Sequence, residues 1–334
     1  MFKGKKILIT GGTGSLGTAL TKRLLGLNID TIRIFSRNES KQVEMESKFD
    51  DDRIRYFLGD IRDYNRLVRA VEDVDIVFHS AALKHVPKIE YNPFEAIKTN
   101  VIGSQNVIDA CIETNVGKAI CIGTDKAVSP LNTYGATKLL MEKLFVTANN
   151  YLDPRKHKTK FITARYGNVF GSSGSVIPRF IEQIKNNQKI TITDPNMTRF
   201  SITMEQALDF VLNAIQSGKG SEIFVPVIKS YSILTVRDAL VEIFGNVNEE
   251  TVGIRPGEKL HEILVNKEEM HYTWKYNNMY MITNPLYPLF NIDSIEKGYH
   301  GIEKIQNLGG YSSDKAENIS KQEIVNTINK SGLL

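Results

Sequence analysis

Lys5-Lys6-Ile7-Leu8-Ile9-Thr10-Gly11-Gly12-Thr13-Gly14-Ser15-Leu16-Gly17 stands near the start of the chain. A short apolar strand runs into a glycine-rich turn, and a helical pattern at Leu16, Leu20 and Leu24 follows directly. Glycines let a backbone approach a pyrophosphate, and a helix N-terminus offers it N–H donors and a positive dipole end. The spacing is G-x-x-G-x-x-G, not G-x-G-x-x-G, and alone it would fit any tight strand-to-helix turn. The alternation continues, however. Residues 31–35, 54–58, 75–79, 118–122 and 160–164 predict five more strands, with helices over 64–71 and 93–112 among them. The continuous apolar run at 75–79 marks a buried parallel strand. Six strands with crossover helices predict an α/β fold with a doubly wound parallel sheet. Ligands then bind at the strand C-terminal ends. That rule brings Gly11, Thr13, Gly14, Ser15, Leu16, Gly17, Arg37, Asp60 with Ile61, Ala81 and Thr124 to one crevice.

The chemistry is written further on. Residues 121–138 read Cys-Ile-Gly-Thr-Asp-Lys-Ala-Val-Ser-Pro-Leu-Asn-Thr-Tyr-Gly-Ala-Thr-Lys. An apolar strand ends at a hydroxyl, a carboxyl and an amine: Thr124, Asp125 and Lys126. Tyr134 and Lys138 then stand four apart at the start of a helix, so they share a face. The Lys138 ammonium is expected beside the phenol, favouring phenolate in a group whose ordinary pKa is about 10. A Tyr/Lys redox couple with a separate acid and base beside it exceeds what a simple dehydrogenase needs.

The second strand ends in Ser36-Arg37-Asn38, with Lys41 one turn on. An NAD site wants a carboxylate there, whereas an NADP site wants an arginine for the 2′-phosphate. The missing acid and the added base both predict NADP.

Composition narrows the classes. At 334 residues the chain can bury a large core. A net charge of +4 with scattered Lys and Arg implies no nucleic-acid partner. No apolar stretch approaches a membrane span, and no signal peptide is expected, so the expected location is the cytoplasm. Cys111 and Cys121 are expected as two buried thiols, and the 6 histidines show no metal-binding spacing.

Beyond residue 166 the texture changes. Residues 166–175 are Gly/Ser-rich, with Ser172 to Ser175 a candidate lid. Mixed elements follow: helices at 178–185, 204–215 and 236–244, and strands at 190–193, 222–225 and 251–254. The expected organisation is a cofactor-binding domain over 1–170 and a smaller mixed α/β substrate lobe over 171–283, interleaved with the first. The segment 284–334 carries no firm assignment.

Taken as a set, GGTGS, SR-x-E-x-KQ, GD-x-RD, KHVP-x-x-E-YNP, TDKA, YGATK, RYGNV, MTRF and RPGEKLHE are specific. The chain resembles the extended short-chain dehydrogenase/reductases, and within them the inverting UDP-N-acetylglucosamine 4,6-dehydratases of pseudaminic acid synthesis. The resemblance covers about residues 3–270, with a weaker echo at Tyr311-Ser312-Ser313. Retaining dehydratases usually carry Asp-Glu where this chain has Asp125-Lys126. Departures are Gly123 for a usual Ser, Asn38 for a usual Asp, and Ser201 where Trp often stands. The resemblance implies an NADP-dependent lyase acting on UDP-N-acetylglucosamine as a homo-oligomer, dimer or hexamer. Tyr134 would be the base for oxidation at carbon 4. Lys126, neutral through burial and a nearby Lys138, would take the carbon-5 proton. Asp125 would protonate the leaving 6-hydroxyl, and Thr124 would bind the reacting oxygen. Lys84 would approach cofactor and substrate. Asn168, Val176, Thr193, Arg199, Arg255 and Glu258 would hold the UDP half. Two other readings compete: a UDP-sugar 4-epimerase, which needs no acid/base pair for elimination, and a non-catalytic NADP-binding regulator.

Overall fold

The computed structural model describes residues 1–172, 174–284, 292–306 and 309–334. The six expected strands all form: β1 (Lys6–Thr10), β2 (Thr31–Ser36), β3 (Ile54–Leu58), β4 (Ile76–His79), β5 (Lys118–Ile122) and β6 (Lys160–Ala164). Every neighbouring pair among them is parallel. The second half adds β7 (Asn168–Val169), β8 (Ile190–Ile192), β9 (Thr198–Ile202), β10 (Ile223–Pro226), β11 (Ser230–Ser232), β12 (Glu249–Thr251) and β13 (Ile263–Val265). It closes with β14 (Thr273–Tyr276), β15 (Met279–Ile282), β16 (Glu303–Lys304) and β17 (Tyr311–Ser312).

The large sheet has 10 strands in the order β16-β14-β15-β10-β6-β5-β4-β1-β2-β3. Strand order reverses between β1 and β4, which is where a doubly wound sheet opens its crevice. Burial follows from the layers: Ile7, Leu8 and Ile9 of β1 are wholly buried because helices cover both faces.

Three expectations for the second half change. The strand expected at 222–225 in the lobe is β10, which extends the large sheet parallel to β6. All four of its residues are buried, the pattern of an interior strand, but periodicity cannot say which sheet takes it. The helix Met204–Ser217 likewise covers the large sheet, where Asp209 pairs with Arg23 of the first helix at 2.7 Å. The strand expected over 251–254 ends at Thr251, since Gly253 turns to φ +84°.

The helix expected over 93–112 forms as Pro93–Ala96 and Gly103–Glu113 joined by a wide π turn, Ile97–Ile102. Asn100 lies in that turn. Its amide accepts from Leu83 N (2.7 Å) and donates to Leu83 O and the Thr137 hydroxyl (each 3.0 Å). One side chain therefore ties the loop after β4 to the helix that carries Tyr134, as π turns at functional sites often do.

The lobe has its own core, with Ile177, Phe180, Ile190, Val236 and Leu240 at its centre. The chain's last helix, Lys321–Ser331, completes it with Ile324, Val325 and Ile328. The unassigned tail is thus structural where described; residues 285–291 and 307–308 of it, and Ser173 of the candidate lid, lie outside the described residues.

Candidate functional site

One cavity of about 980 Å³ runs along the C-terminal ends of β1 to β6 and under the lobe. Its cofactor end begins at Gly11. That residue has φ +67°, and a Cβ there would stand 2.8 Å from Ala81 N. A Cβ on Gly17 would meet Gly12 O at 2.5 Å. Backbones therefore pack as close as only glycine permits. The helix Ser15–Leu25 starts at Gly14 with no side-chain cap, so its first N–H groups stay available to an anion. Thr13, Gly14, Ser15, Leu16, Ile61 and Ala81 line the same wall. This cradle fits a dinucleotide.

At the end of β2, Ser36, Arg37, Asn38 and Lys41 all line the cavity. Arg37 is half exposed, with Asp60 of the next strand end 3.5 Å away. Asp60 is held more tightly by Arg62, at 2.7 Å. Burial pushes the Asp60 carboxyl up, but its bonds from Arg62 and the charge of Arg37 prevail and hold it below its ordinary value. Asn38 accepts from Lys41 N (2.9 Å), capping the helix Glu39–Phe49 and fixing the loop.

At the catalytic end, Asn132 caps the helix Thr133–Ala148 by accepting from Gly135 N (2.8 Å) and donates to Gly257 O (2.9 Å). The turn of Arg255 to Glu258 is thereby fixed beside Tyr134. Thr124, Lys126, Tyr134 and Lys138 line the cavity together. Lys138 departs from expectation. Its ammonium donates to Ile122 O at 2.6 Å, and burial pulls its pKa down to about 8. The cation that favours the Tyr134 phenolate is Lys126; burial outweighs it, so the phenol lies above its ordinary value.

Lys126 also departs. Its Nζ is 3.1 Å from Asp125 Oδ1, 3.1 Å from Asn168 Oδ1 and 3.6 Å from Glu262 Oε1. Burial disfavours the ammonium, but Asp125 and Glu262 more than offset that and raise its pKa. The expected lowering by Lys138 does not occur, because Lys138 faces Ile122 instead. Asp125 is wholly buried behind the cavity wall. Its Oδ1 accepts from the Thr124 hydroxyl (2.8 Å), and its Oδ2 has no partner. It therefore meets the cavity through Thr124 and Lys126, not directly.

Lys84, expected between cofactor and substrate, lines the cavity, as do Val176, Thr193, Arg255 and Glu258 of the residues expected at the UDP half. Asn168 lies on the Lys126 amine. Arg199 lines the wall, but its guanidinium is engaged by Thr198 O (2.8 Å) and Leu260 O (3.0 Å), with Glu262 at 3.7 Å. It is a wall brace here, not a free anion ligand. Sequence reasoning missed Arg179, which lines the cavity from the first turn of the helix Val176–Lys185 and feels the charges of Arg255 and Glu258. A helix opening out of a Gly/Ser loop was the available signal. Lys259 and Glu262 were missed as well.

The model of the polysaccharide biosynthesis protein family matches residues 7–284. The chain belongs to that family. It is 47% identical to an inverting UDP-N-acetylglucosamine 4,6-dehydratase of Campylobacter jejuni, over 98% of both chains. It is also 43% identical to a UDP-glucose 4-epimerase of Rickettsia bellii, covering 97% of this chain and 95% of that one. Among solved structures, Pen from Bacillus thuringiensis superposes with a TM-score of 0.91 at 40% identity, over 100% of both chains. Family membership thus agrees with a parallel-sheet crevice closed by a small lobe. Among the described residues no helix is long and apolar enough to cross a membrane, and no cluster of metal-ligating side chains occurs. Both cysteines are buried and unpaired.

Proposed function

We propose that this chain is an inverting UDP-N-acetylglucosamine 4,6-dehydratase that uses NADP. The observation that carries the proposal is the meeting of Thr124, Lys126 and Tyr134 at one cavity, with Asp125 bonded to the first two from behind the wall. An oxidation needs Tyr134; only an elimination also needs a separate acid and base. A bound nicotinamide would supply the acceptor and donor of the hydride that leaves carbon 4 and returns at carbon 6. Tyr134 takes the proton of the 4-hydroxyl, and Thr124 bonds the same oxygen. The resulting ketone acidifies carbon 5, from which Lys126 removes the proton. Asp125, once protonated, gives its proton to Thr124 Oγ1 as Thr124 passes its own to the leaving 6-hydroxyl, reversing the hydrogen bond between the two. Water departs, and reprotonation of carbon 5 from the opposite face gives the 4-keto-6-deoxy-L-arabino sugar. Arg179 and Arg255 suit the diphosphate. Arg37, free of any carboxylate from its own strand end, suits a 2′-phosphate.

The Rickettsia relative named as a 4-epimerase supports a second reading, in which Tyr134 and Lys138 act without the Asp125–Lys126 pair and water is retained. Incubation with UDP-N-acetylglucosamine in heavy water separates the two. The dehydratase yields a sugar lighter by one water, with a solvent deuterium at carbon 5 and inverted configuration there. Recovery of an isomer of unchanged mass would establish the epimerase.

A further inference from the structure

Glu262 ends the Arg255-to-Glu262 run, one residue before β13. Its side chain is only 4% exposed yet lines the cavity. The carboxylate stands between two cations, with Oε1 3.6 Å from Lys126 Nζ and 3.7 Å from Arg199 Nε. Its Oε2 is buried without a hydrogen-bond partner. A buried carboxylate is costly unless cations compensate it, and none of the steps above uses this one.

The fold holds it there by its backbone. Glu262 N donates to Ser313 Oγ, and Ser313 N donates to Glu262 O, each at 2.9 Å. Ser313 Oγ is also 2.7 Å from Thr198 Oγ1, beside Arg199. The Tyr311-Ser312-Ser313 stretch of the C-terminal segment thus pins Glu262 against the site from behind. An ammonium has three N–H donors. Lys126 spends two on Asp125 and Asn168 and is held from a third element by the charge of Glu262.

We propose that Glu262 is a positioning residue for Lys126, holding its amine in the cavity and stabilising the ammonium that forms when the amine takes a proton. Other charged or titratable groups face Lys126 too. They are Asp125 from its own turn, Tyr134 from the catalytic helix, Arg199 from β9, Tyr231 from β11 and Lys259 from the turn before β13. Without Glu262, Asp125 would be the one carboxylate against Arg199 and Lys259. The amine would then hold its proton less firmly and be a weaker base.

The catalytic consequence rests on the reading of Lys126 as the carbon-5 base; the effect on its protonation does not. The test is competitive acetylation of the cofactor-loaded protein at mildly alkaline pH, with the Lys126 peptide followed by mass spectrometry against exposed lysines. Only the neutral amine reacts. Glu262→Gln keeps the shape and removes the charge, and should raise the Lys126 labelling rate about tenfold or more. Glu262→Asp retracts the charge and should give a smaller rise in the same direction; it decides the matter if the glutamine variant does not fold. Labelling rates equal to the parent in the folded variants would overturn the proposal. The pH profile of carbon-5 deuterium exchange should move to lower pH with the labelling. Labelling that shifts while the exchange profile stays fixed would support Glu262's hold on Lys126 and instead sink Lys126 as the base.

Discussion

Tyr134 and Lys126 meet at the same cavity from different elements, so their roles can be separated. Tyr134→Phe removes the proposed base for oxidation and should leave carbon 4 unoxidised, with no change in nicotinamide absorbance on mixing with substrate. Lys126→Met spares that base. It should still permit some absorbance change while blocking both water loss and deuterium uptake at carbon 5. General acid–base groups contribute about 10²–10⁴-fold each, so both losses should be severe. Near-normal dehydration by Lys126→Met would place the elimination base elsewhere. Arg37 supports a second test. A charge-assisted bond contributes about 1.5–3 kcal/mol, so Arg37→Ala should cost NADP roughly tenfold to a hundredfold in affinity and leave NAD nearly unchanged. Titration calorimetry with both cofactors decides, and equal affinities in the parent would reject NADP. Residues fixed by local spacing were legible: the glycines at 11–17, the Tyr134–Lys138 face, the basic end of β2. What acts on them was not. Glu262 reaches Lys126 from more than 130 residues away, and Lys138 turns to a backbone carbonyl that no spacing reveals.

Among the elements, the last helix shows where local signals were present yet unread. Ser320-Lys321-Gln322-Glu323 is a capping box, and the structure makes both of its bonds: Glu323 N to Ser320 Oγ at 3.2 Å and Ser320 N to Glu323 Oε2 at 2.9 Å. The apolar Ile324 and Ile328, four apart, follow it on one face. A polar setting masked that short pattern, and its partner surface on the helix Ile233–Phe244 is distant in sequence. Strand β10 failed differently. Its existence was legible, but its place in the large sheet was set by tertiary pairing with β6. The helix supports a prediction. Ile328→Ala removes a wholly buried side chain from the lobe core and should cost about 2–5 kcal/mol of stability. The lobe carries Arg179, Thr193 and Arg255, whereas the nucleotide cradle belongs to β1 and β2. Looser packing should therefore raise KM for the UDP-sugar more than the Kd for the cofactor. A variant that weakens both equally would mean that the lobe core does not shape the substrate end separately.

Across the whole molecule, one buried ionic node joins sheet, catalytic helix and lobe. Arg165, just past β6, is fully buried. It donates to Glu142 of the catalytic helix (2.8 Å) and to Glu269 (2.9 Å), and also to Leu264 O of β13 (2.9 Å). The same node explains Gly123, the departure from the usual Ser. A Cβ at Gly123 would collide with Glu142 Oε1, so this arrangement of the pair requires glycine there. Glu142 lies one turn after Lys138 and Glu269 lies beyond β13, so loosening the node should reach the site as well as the fold. Removing one partner of a buried pair strands a charge, which costs about 3–5 kcal/mol. Arg165→Met should lower the melting temperature accordingly, and Glu269→Gln, at the more exposed end, by less. The pH dependence has a definite sign. Burial pushes the Glu269 carboxyl up, but Arg165 prevails and holds it below its ordinary 4.5. A depressed carboxyl contributes stability that is complete above the unfolded value and lost as pH falls through the folded one. The parent should therefore lose melting temperature as pH drops below 4.5, over a range in which Arg165→Met loses less. Melts recorded from neutral to acid pH for both proteins test this. Parallel curves throughout would show that the node contributes no acid-sensitive stability.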